Sequence, residues 1–401
     1  MPLVVLHIAL VLSVTLALAA CSSGEQVIKI GAAVSETGRY SEEGKLTREG
    51  YLLWEDWVNN EYGGIDVGGE RYKVELILYD DKGETDTTAK LIEQLIDEDE
   101  VDFLLGPYSS TLTGPAIEVA EARGVILVEG SGASETLFEQ SYKNLFAVLT
   151  TAGNYAQSAL RLLADQGARS VVIAYADVLF PKSVAEGAKQ WAEQYGMEVM
   201  AVQGYPQDVT DVSDIISSFK DLDPDVFVGA GYFNDAVLFV GTAKELDFSP
   251  KATVLTVGPT NPEFVRDIGA DANYLIGPTQ WESSMSYEGE YFGSASDYAE
   301  RYRKKWGDAP VYQAASATAA ALALQAAIES AGSLDVDAVR TALRSLDIST
   351  FYGPIKLDST GKNTAKPMGA AQIQDGEILV VAPADAAISE VLYPAPSWKD
   401  R

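Results

Sequence analysis

Short apolar strands alternate with amphipathic helices along most of this chain, and the alternation runs twice. Val27–Val34 is a continuous apolar run of strand length, and a helical period follows over 42–61. Strands at Tyr72–Tyr79, Val101–Leu105 and Val125–Val128 then alternate with helices at 86–98 and 111–123. The pattern restarts near residue 150. Helices at 154–166, 182–195, 211–221 and 234–246 now accompany strands at 170–175, 197–203, 225–229, 252–257 and 273–276. Strands joined by helices of this length pair in parallel through right-handed crossovers, and a parallel sheet needs helices on both faces. The two runs therefore predict an α/β protein of two doubly wound parallel-sheet lobes. The tail differs, with helices at 290–306, 314–331 and 335–345 and short strands near 352–357, 369–374 and 377–381.

The 401 residues leave room for two or three domains. With 59 acidic and 29 basic residues the formal net charge is −30. Phosphate backbones and anionic lipid surfaces repel such a chain, so no nucleic-acid partner is expected. The single His and single Cys, His7 and Cys21, both fall in an apolar N-terminal stretch. A globular part without either excludes His- and Cys-based nucleophiles, His or Cys metal sites and disulfides. No catalytic residue and no metal is expected. Residues 3–20 end in Leu18-Ala19-Ala20-Cys21, which resembles a bacterial lipobox. This predicts a signal peptide over 1–20, acylation of Cys21 and a tether over 21–26. The departure is that no Lys or Arg precedes the apolar core.

Open α/β sheets bind ligands at the carboxyl ends of their strands. After Val101–Leu105 comes Gly106-Pro107-Tyr108-Ser109-Ser110-Thr111. Its Ser and Thr can cap a helix whose free first-turn amides hold a carboxylate. After Val125–Val128 comes Glu129-Gly130-Ser131-Gly132-Ala133-Ser134, small enough for a ligand to approach the backbone. The second run offers Asp177-Val178-Leu179-Phe180, Gly231-Tyr232-Phe233-Asn234-Asp235 and Gly258-Pro259-Thr260-Asn261. Phe180, Tyr232 and Phe233 supply a second wall, or the two phenylalanines pack the core. Trp281 lines a cleft or packs a hinge. Neither GxGxxG nor GxxxxGK[ST] is present, so no nucleotide cofactor is expected.

Further features follow in a set order: Ile30-Gly31 with Thr37-Gly38, Gly63-Gly64-Ile65, Tyr79-Asp80-Asp81, Gly106-Pro107, Gly258-Pro259, Trp306-Gly307 and Tyr352-Gly353-Pro354-Ile355. In this order and spacing the chain resembles the periplasmic binding proteins of branched-chain amino acid and amide uptake, the Leu/Ile/Val-binding type. The resemblance implies two lobes joined by three crossings, with the ligand between them. Lobe 1 would be 25–150 plus 281–352, and lobe 2 would be 151–280 plus 353–401. The ligand carboxylate would sit on Ser110, Ser131, Gly132 and Ala133, beside Tyr108 and Ser109. Phe180 and Tyr232 match two tyrosines of the family, and Phe180 has lost the hydroxyl. Thr260 stands where the family has an acid for the ligand ammonium. A neutral Thr does not offset a buried ammonium. Either Asp177, Asp235, Glu129 or Glu282 substitutes, or the ligand lacks an ammonium; the expectation is an uncharged group opposite the carboxylate.

The function so implied is that of a monomeric, lipid-anchored extracytoplasmic receptor of an ABC importer, delivering a small-molecule ligand to permease and ATPase subunits. The alternatives are a ligand sensor without transport and an enzyme using a carboxylate pair with Tyr or Lys. A neighbouring kinase gene would mark the sensor, and turnover of the bound compound would mark the enzyme.

Overall fold

The computed structural model describes residues 26–401. The expected signal peptide, the lipobox and Cys21 lie outside the described residues. The chain begins with β1 (Val27–Val34), α1 (Ser41–Trp57), β2 (Ile65–Val67), β3 (Glu70–Asp80), α2 (Thr85–Asp97) and β4 (Phe103–Leu105). It continues through α3 (Ser110–Arg123), β5 (Leu127–Glu129), α4 (Glu135–Glu139) and β6 (Leu145–Ala147). These strands form one sheet in the order β2-β3-β1-β4-β5-β6, parallel except for the β2–β3 hairpin at its edge. Helices cover both faces, so β1 is buried along nearly its whole length and reads as an unbroken apolar run.

The second run holds α5 (Gln157–Asp165), β7 (Ser170–Ala176), α6 (Leu179–Gln194), β8 (Glu198–Tyr205), α7 (Ser213–Leu222) and β9 (Val226–Ala230). It ends with α8 (Phe233–Glu245), β10 (Ala252–Leu255), α9 (Pro262–Ile268) and β11 (Leu275–Thr279). Its parallel strands lie in the order β8-β7-β9-β10-β11, the same winding as the first sheet. The chain then returns to the first lobe with β12 (Glu288–Gly289), β13 (Gly293–Ser294), α10 (Ala295–Trp306), α11 (Tyr312–Ala331), α12 (Val336–Arg344), β14 (Asp347–Thr350) and β15 (Gly353–Lys356). Finally β16 (Gly369–Gln374) and β17 (Glu377–Ala382) extend the second sheet antiparallel beside β11.

Helix α11 is buried on every side from Tyr312 to Ile328. Its alanines allow that, because small side chains let neighbours approach closely. The closest approach is to α1, where a Cβ on Gly50 would lie 2.3 Å from the Ala314 carbonyl oxygen. The Gly50 carbonyl in turn accepts from Thr318 Oγ1 at 2.7 Å.

Several expectations change in detail. The helix expected over 42–61 is α-helical only to Trp57, continues as a π-turn over Val58–Tyr62 and stops at Gly63 with φ +91°. The strand expected at 352–357 is one arm of the β14–β15 hairpin. That pairing also moves the expected lobe boundary at 352/353. Lys362 bridges to Ala147 of the first sheet, and Asn363 Nδ2 donates to the Val148 carbonyl at 2.7 Å, so the third crossing follows Asn363.

The three crossings run side by side. Thr150 N donates to Gln280 Oε1 at 3.1 Å, and Gln280 Nε2 donates back to the Thr150 carbonyl at 2.9 Å. Thr150 Oγ1 donates to the Lys366 carbonyl, which adds the third crossing to the bundle.

Candidate functional site

Loops from the carboxyl ends of both sheets meet in a closed interface. Arg39 Nη1, beyond β1, donates to the Gln207 carbonyl beyond β8 at 2.5 Å, and Gln207 Nε2 donates to Tyr40 Oη at 2.5 Å. Ser134 and Ser183 share a hydroxyl hydrogen bond of 2.7 Å from the α4 side to α6. The interface encloses a narrow cavity of about 10 Å³. The first lobe contributes Tyr108, Ser109, Gly130, Ser131 and Tyr312 to its wall. Tyr155 comes from just beyond the first crossing, and Phe180 and Tyr232 come from the second lobe. A wider mouth of about 320 Å³ opens outside it, lined in part by Glu43, Gln207, Tyr232 and Phe233.

The wall is mainly aromatic. Tyr108 and Tyr232 approach to 6.2 Å between ring centroids, Phe180 and Tyr232 to 5.8 Å, and Tyr155 and Phe180 to 4.9 Å. Tyr40 closes the outer side, 5.0 Å from Tyr232 and 5.9 Å from Tyr108. Burial first, and then the charge of Glu43, push the Tyr108 hydroxyl up; burial pushes Tyr155 up to about 12. Burial is also the largest cause for Tyr232 and Tyr312, with Glu43 adding to it. All four phenols therefore keep their protons at neutral pH.

Two buried hydroxyls on this wall, Ser109 Oγ and Tyr232 Oη, have no partner among the described residues. One belongs to each lobe. Ser109 precedes α3 with φ +90° and ψ 152°, a conformation that costs a non-glycine residue roughly 1–3 kcal/mol. Its carbonyl already accepts the Leu112 and Thr113 amides, which leaves the Ser110 and Thr111 amides ahead of the first helical bond.

The loop after β5 is organised differently from expectation. Glu129 is buried beneath it, accepting from Thr113 Oγ1 at 2.8 Å and from the Ser131 amide. The Gly130 and Gly132 amides also face this carboxylate. Burial, opposed by those bonds, pushes Glu129 up to about 7. Glu129 is therefore the internal acceptor for amides expected to hold a ligand carboxylate.

Of the expected site residues, Tyr108, Ser109, Ser131, Phe180 and Tyr232 line the cavity. The others do not. Ser110 Oγ is an inter-loop strut that accepts the Ser134 amide at 2.9 Å. Gly132 packs so closely that an added Cβ would lie 2.5 Å from Thr113 Oγ1, and Ala133 is buried with its carbonyl accepting the Ala152 amide at 2.8 Å. Thr260 sets its methyl against Gly277, where an added Cβ would lie 2.8 Å away. Trp281 is a core residue, its Nε1 donating to the Phe351 carbonyl at 2.9 Å and its ring edge-on to Tyr298. Phe233 stands at the mouth, edge-on to Phe264 at 5.8 Å.

The acids considered as replacements for the family's carboxylate are also occupied. Asp177 pairs with Lys182 at 3.3 Å, Asp235 Oδ2 accepts the Tyr232 amide at 2.8 Å, and Glu282 accepts from Thr279 Oγ1 at 3.2 Å.

Sequence reasoning missed Tyr40, Glu43, Tyr155 and Tyr312. Glu43 reads as an ordinary acid in the first turn of a helix. It is buried, its Oε1 accepts the Phe233 amide across the cleft at 3.3 Å, and burial pushes it up to about 7. The only local signal for the tyrosines is an aromatic at a helix start or a crossing.

A model of the periplasmic binding protein family matches residues 27–377. The chain belongs to this family. Among its relatives is the Leu/Ile/Val-binding protein homolog 7 of Brucella suis, 26% identical over 96% of this chain and 98% of that one. Members of known structure share the architecture. A branched-chain amino acid transporter substrate-binding protein from Streptococcus pneumoniae, solved with isoleucine, superposes with a TM-score of 0.77 at 23% identity, covering 92% of this chain and 100% of that one. A solute-binding protein from Rhodopseudomonas palustris, solved with 3,4-dihydroxybenzoic acid, gives 0.76 at 19% identity over 90% and 98%. The fold is the type I periplasmic binding protein fold, two doubly wound lobes joined by three crossings. No helix of the described residues is long and apolar enough to cross a membrane.

Proposed function

We propose that this chain is the extracytoplasmic solute receptor of an ABC importer, a binding protein rather than an enzyme. It takes a small carboxylate-bearing ligand between the two lobes, which part to admit it, and passes it to a permease. The observation that carries this reading is the pair of unpartnered hydroxyls, Ser109 Oγ from one lobe and Tyr232 Oη from the other, on one cavity wall. A buried polar group without a partner costs about 1–3 kcal/mol. A ligand that satisfies both hydroxyls does so only when the lobes are closed, so it stabilises the closed form by differential contact. The Ser110 and Thr111 amides and the N-terminal partial charge of α3 make that end suited to a carboxylate.

The test begins with mass spectrometry of whatever co-purifies with the chain expressed without residues 1–21, alongside isoleucine, leucine and benzoate as trial ligands. A true ligand should reduce the radius of gyration in solution scattering. At a hundredfold excess over its dissociation constant it should stabilise the fold by about 2.7 kcal/mol. Ser109→Ala should weaken its binding by about 1.5–3 kcal/mol, the range for a hydrogen bond to a charged group. A scattering curve that stays unchanged at saturation would sink the reading.

Tethering is proposed through acylated Cys21. Cys21→Ser should move the protein from the membrane fraction to the soluble fraction, and a variant that stays membrane-bound would remove the anchor from the proposal.

A further inference from the structure

The lobes bond to each other directly in two regions of different kind. Ser134 and Ser183 meet beside the first crossing, where the Ala133 carbonyl accepts the Ala152 amide at 2.8 Å and a Cβ on Gly187 would lie 2.0 Å from the Gly153 carbonyl oxygen. A contact next to a pivot changes little as the lobes swing. The other set lies at the mouth, where contacts form only when the lobes close. Gln207 is held there from the opposite lobe at two points. Arg39 Nη1 donates to its carbonyl and its Nε2 donates to Tyr40 Oη, each at 2.5 Å. Beside them Glu43 Oε1 accepts the Phe233 amide at 3.3 Å.

Each partner is set in place by its own loop. The Val209 amide donates to the Pro206 carbonyl at 3.0 Å, so Gln207 stands on a tight turn between β8 and α7. Gly38, with φ +84°, passes so close to the Lys82 carbonyl oxygen that a Cβ would lie 2.0 Å from it, and Arg39 and Tyr40 follow directly. Closing the mouth also brings acids together. Glu42 and Glu43 line it from one lobe, Asp208 and Asp235 from the other, and Arg39 is the one Lys or Arg among the described residues that line it. Its charge opposes their repulsion. None of Arg39, Tyr40 and Gln207 belongs to the wall of the inner cavity.

We propose that Gln207, Arg39 and Tyr40 form a clasp that closes the lobes without ligand, so that the ligand captures a closed form already populated. The proposal rests on the reading of this cleft as one that opens and closes around a ligand. The clasped form is the minority, on the order of a tenth of ligand-free chains, and ligand contacts complete the closure.

The chain expressed without residues 1–21 has no cysteine, so Lys90→Cys on α2 and Asp221→Cys on α7, both exposed, take one spin label on each lobe. Pulsed electron paramagnetic resonance then reads the distance between them, on protein dialysed from urea to strip any co-purified compound. The ligand-free chain should show two distances, the shorter being that of this structure. Arg39→Ala and Gln207→Ala should each lower the ratio of closed to open chains about three- to tenfold, the effect of losing one hydrogen bond. Tyr40→Phe keeps the ring and removes the acceptor, so it should match Gln207→Ala, and the two together should lose no more than either alone. Low salt should deepen the effect of Arg39→Ala and leave that of Gln207→Ala as it is. Arg39 is exposed and Gln207 partly exposed, so the fold survives both changes, and a general loss of stability does not reproduce this pattern.

A single long distance in the ligand-free wild type would overturn the clasp, as would ratios unchanged in both Arg39→Ala and Gln207→Ala. If isoleucine, leucine, benzoate or the co-purified compound still shortens that distance, the receptor reading stands without the clasp. Two distances whose ratio none of these compounds shifts would overturn the receptor reading and leave the clasp.

Discussion

Lowering the pH from about 8 to about 5 should stabilise the folded chain by on the order of 3 kcal/mol through Glu129 alone, and Glu129→Gln should remove that contribution. Glu129 is fully buried and has no cation beside it among the described residues. Burial holds its carboxyl at about 7 in the folded chain, against about 4.3 for an unfolded glutamate. Below the unfolded value both states carry the proton, and the full stabilising contribution is present. Between the two values the folded state binds a proton that the unfolded state lacks. Stability is therefore lost as the pH rises through about 7. A tenfold difference in proton affinity between the folded and unfolded chain is worth about 1.36 kcal/mol, which gives the size of the effect.

Glutamine fits the same place. Its oxygen can accept the Ser131 amide, and its amide can donate to Thr113 Oγ1, which already donates to the Ser109 carbonyl at 2.9 Å. Urea unfolding of both proteins across this pH range isolates the contribution of Glu129, because every other acid is common to them. Parallel curves for wild type and variant would refute it.

Trp281→Ala should cost about 4 kcal/mol of stability and leave ligand affinity within about twofold. The indole is fully buried in the first-lobe core, edge-on to Tyr298 at 5.6 Å and to Phe351 at 6.4 Å. Truncation opens a cavity among rings that have little freedom to collapse. It also strands the Phe351 carbonyl, which accepts Trp281 Nε1. Trp281→Phe keeps a ring and should cost about 1–3 kcal/mol, mainly for that unpartnered carbonyl. Urea denaturation gives the stability, and calorimetry with the ligand from the closure experiment gives the affinity. A tenfold loss of affinity with unchanged stability would return Trp281 to the cleft.

The sequence by itself determined the two-lobed winding. A strand buried on both faces must be an uninterrupted apolar run, so β1, β4 and β9 declare themselves in one dimension, as do the amphipathic helices between them. It also marked the polar and glycine-rich loops that follow those strands, part of which line the cavity. Short edges were hidden. The three residues of β6 and the β14 arm of the β14–β15 hairpin are held by pairing with other strands, and no local period marks them.

Only the tertiary structure decided which side chains share the cavity. Ser109 and Ser110 are adjacent in sequence, yet one hydroxyl is left without a partner on the wall and the other is used by the Ser134 amide. Glu129 and Glu43 are both buried acids, but the first is enclosed by its own loop and the second accepts the Phe233 amide from the other lobe. Tyr155 and Tyr312 enter because a crossing and a helix start are brought together by long-range packing. Strand and helix periods record which face of an element is buried, and they carry no information about which distant element buries it.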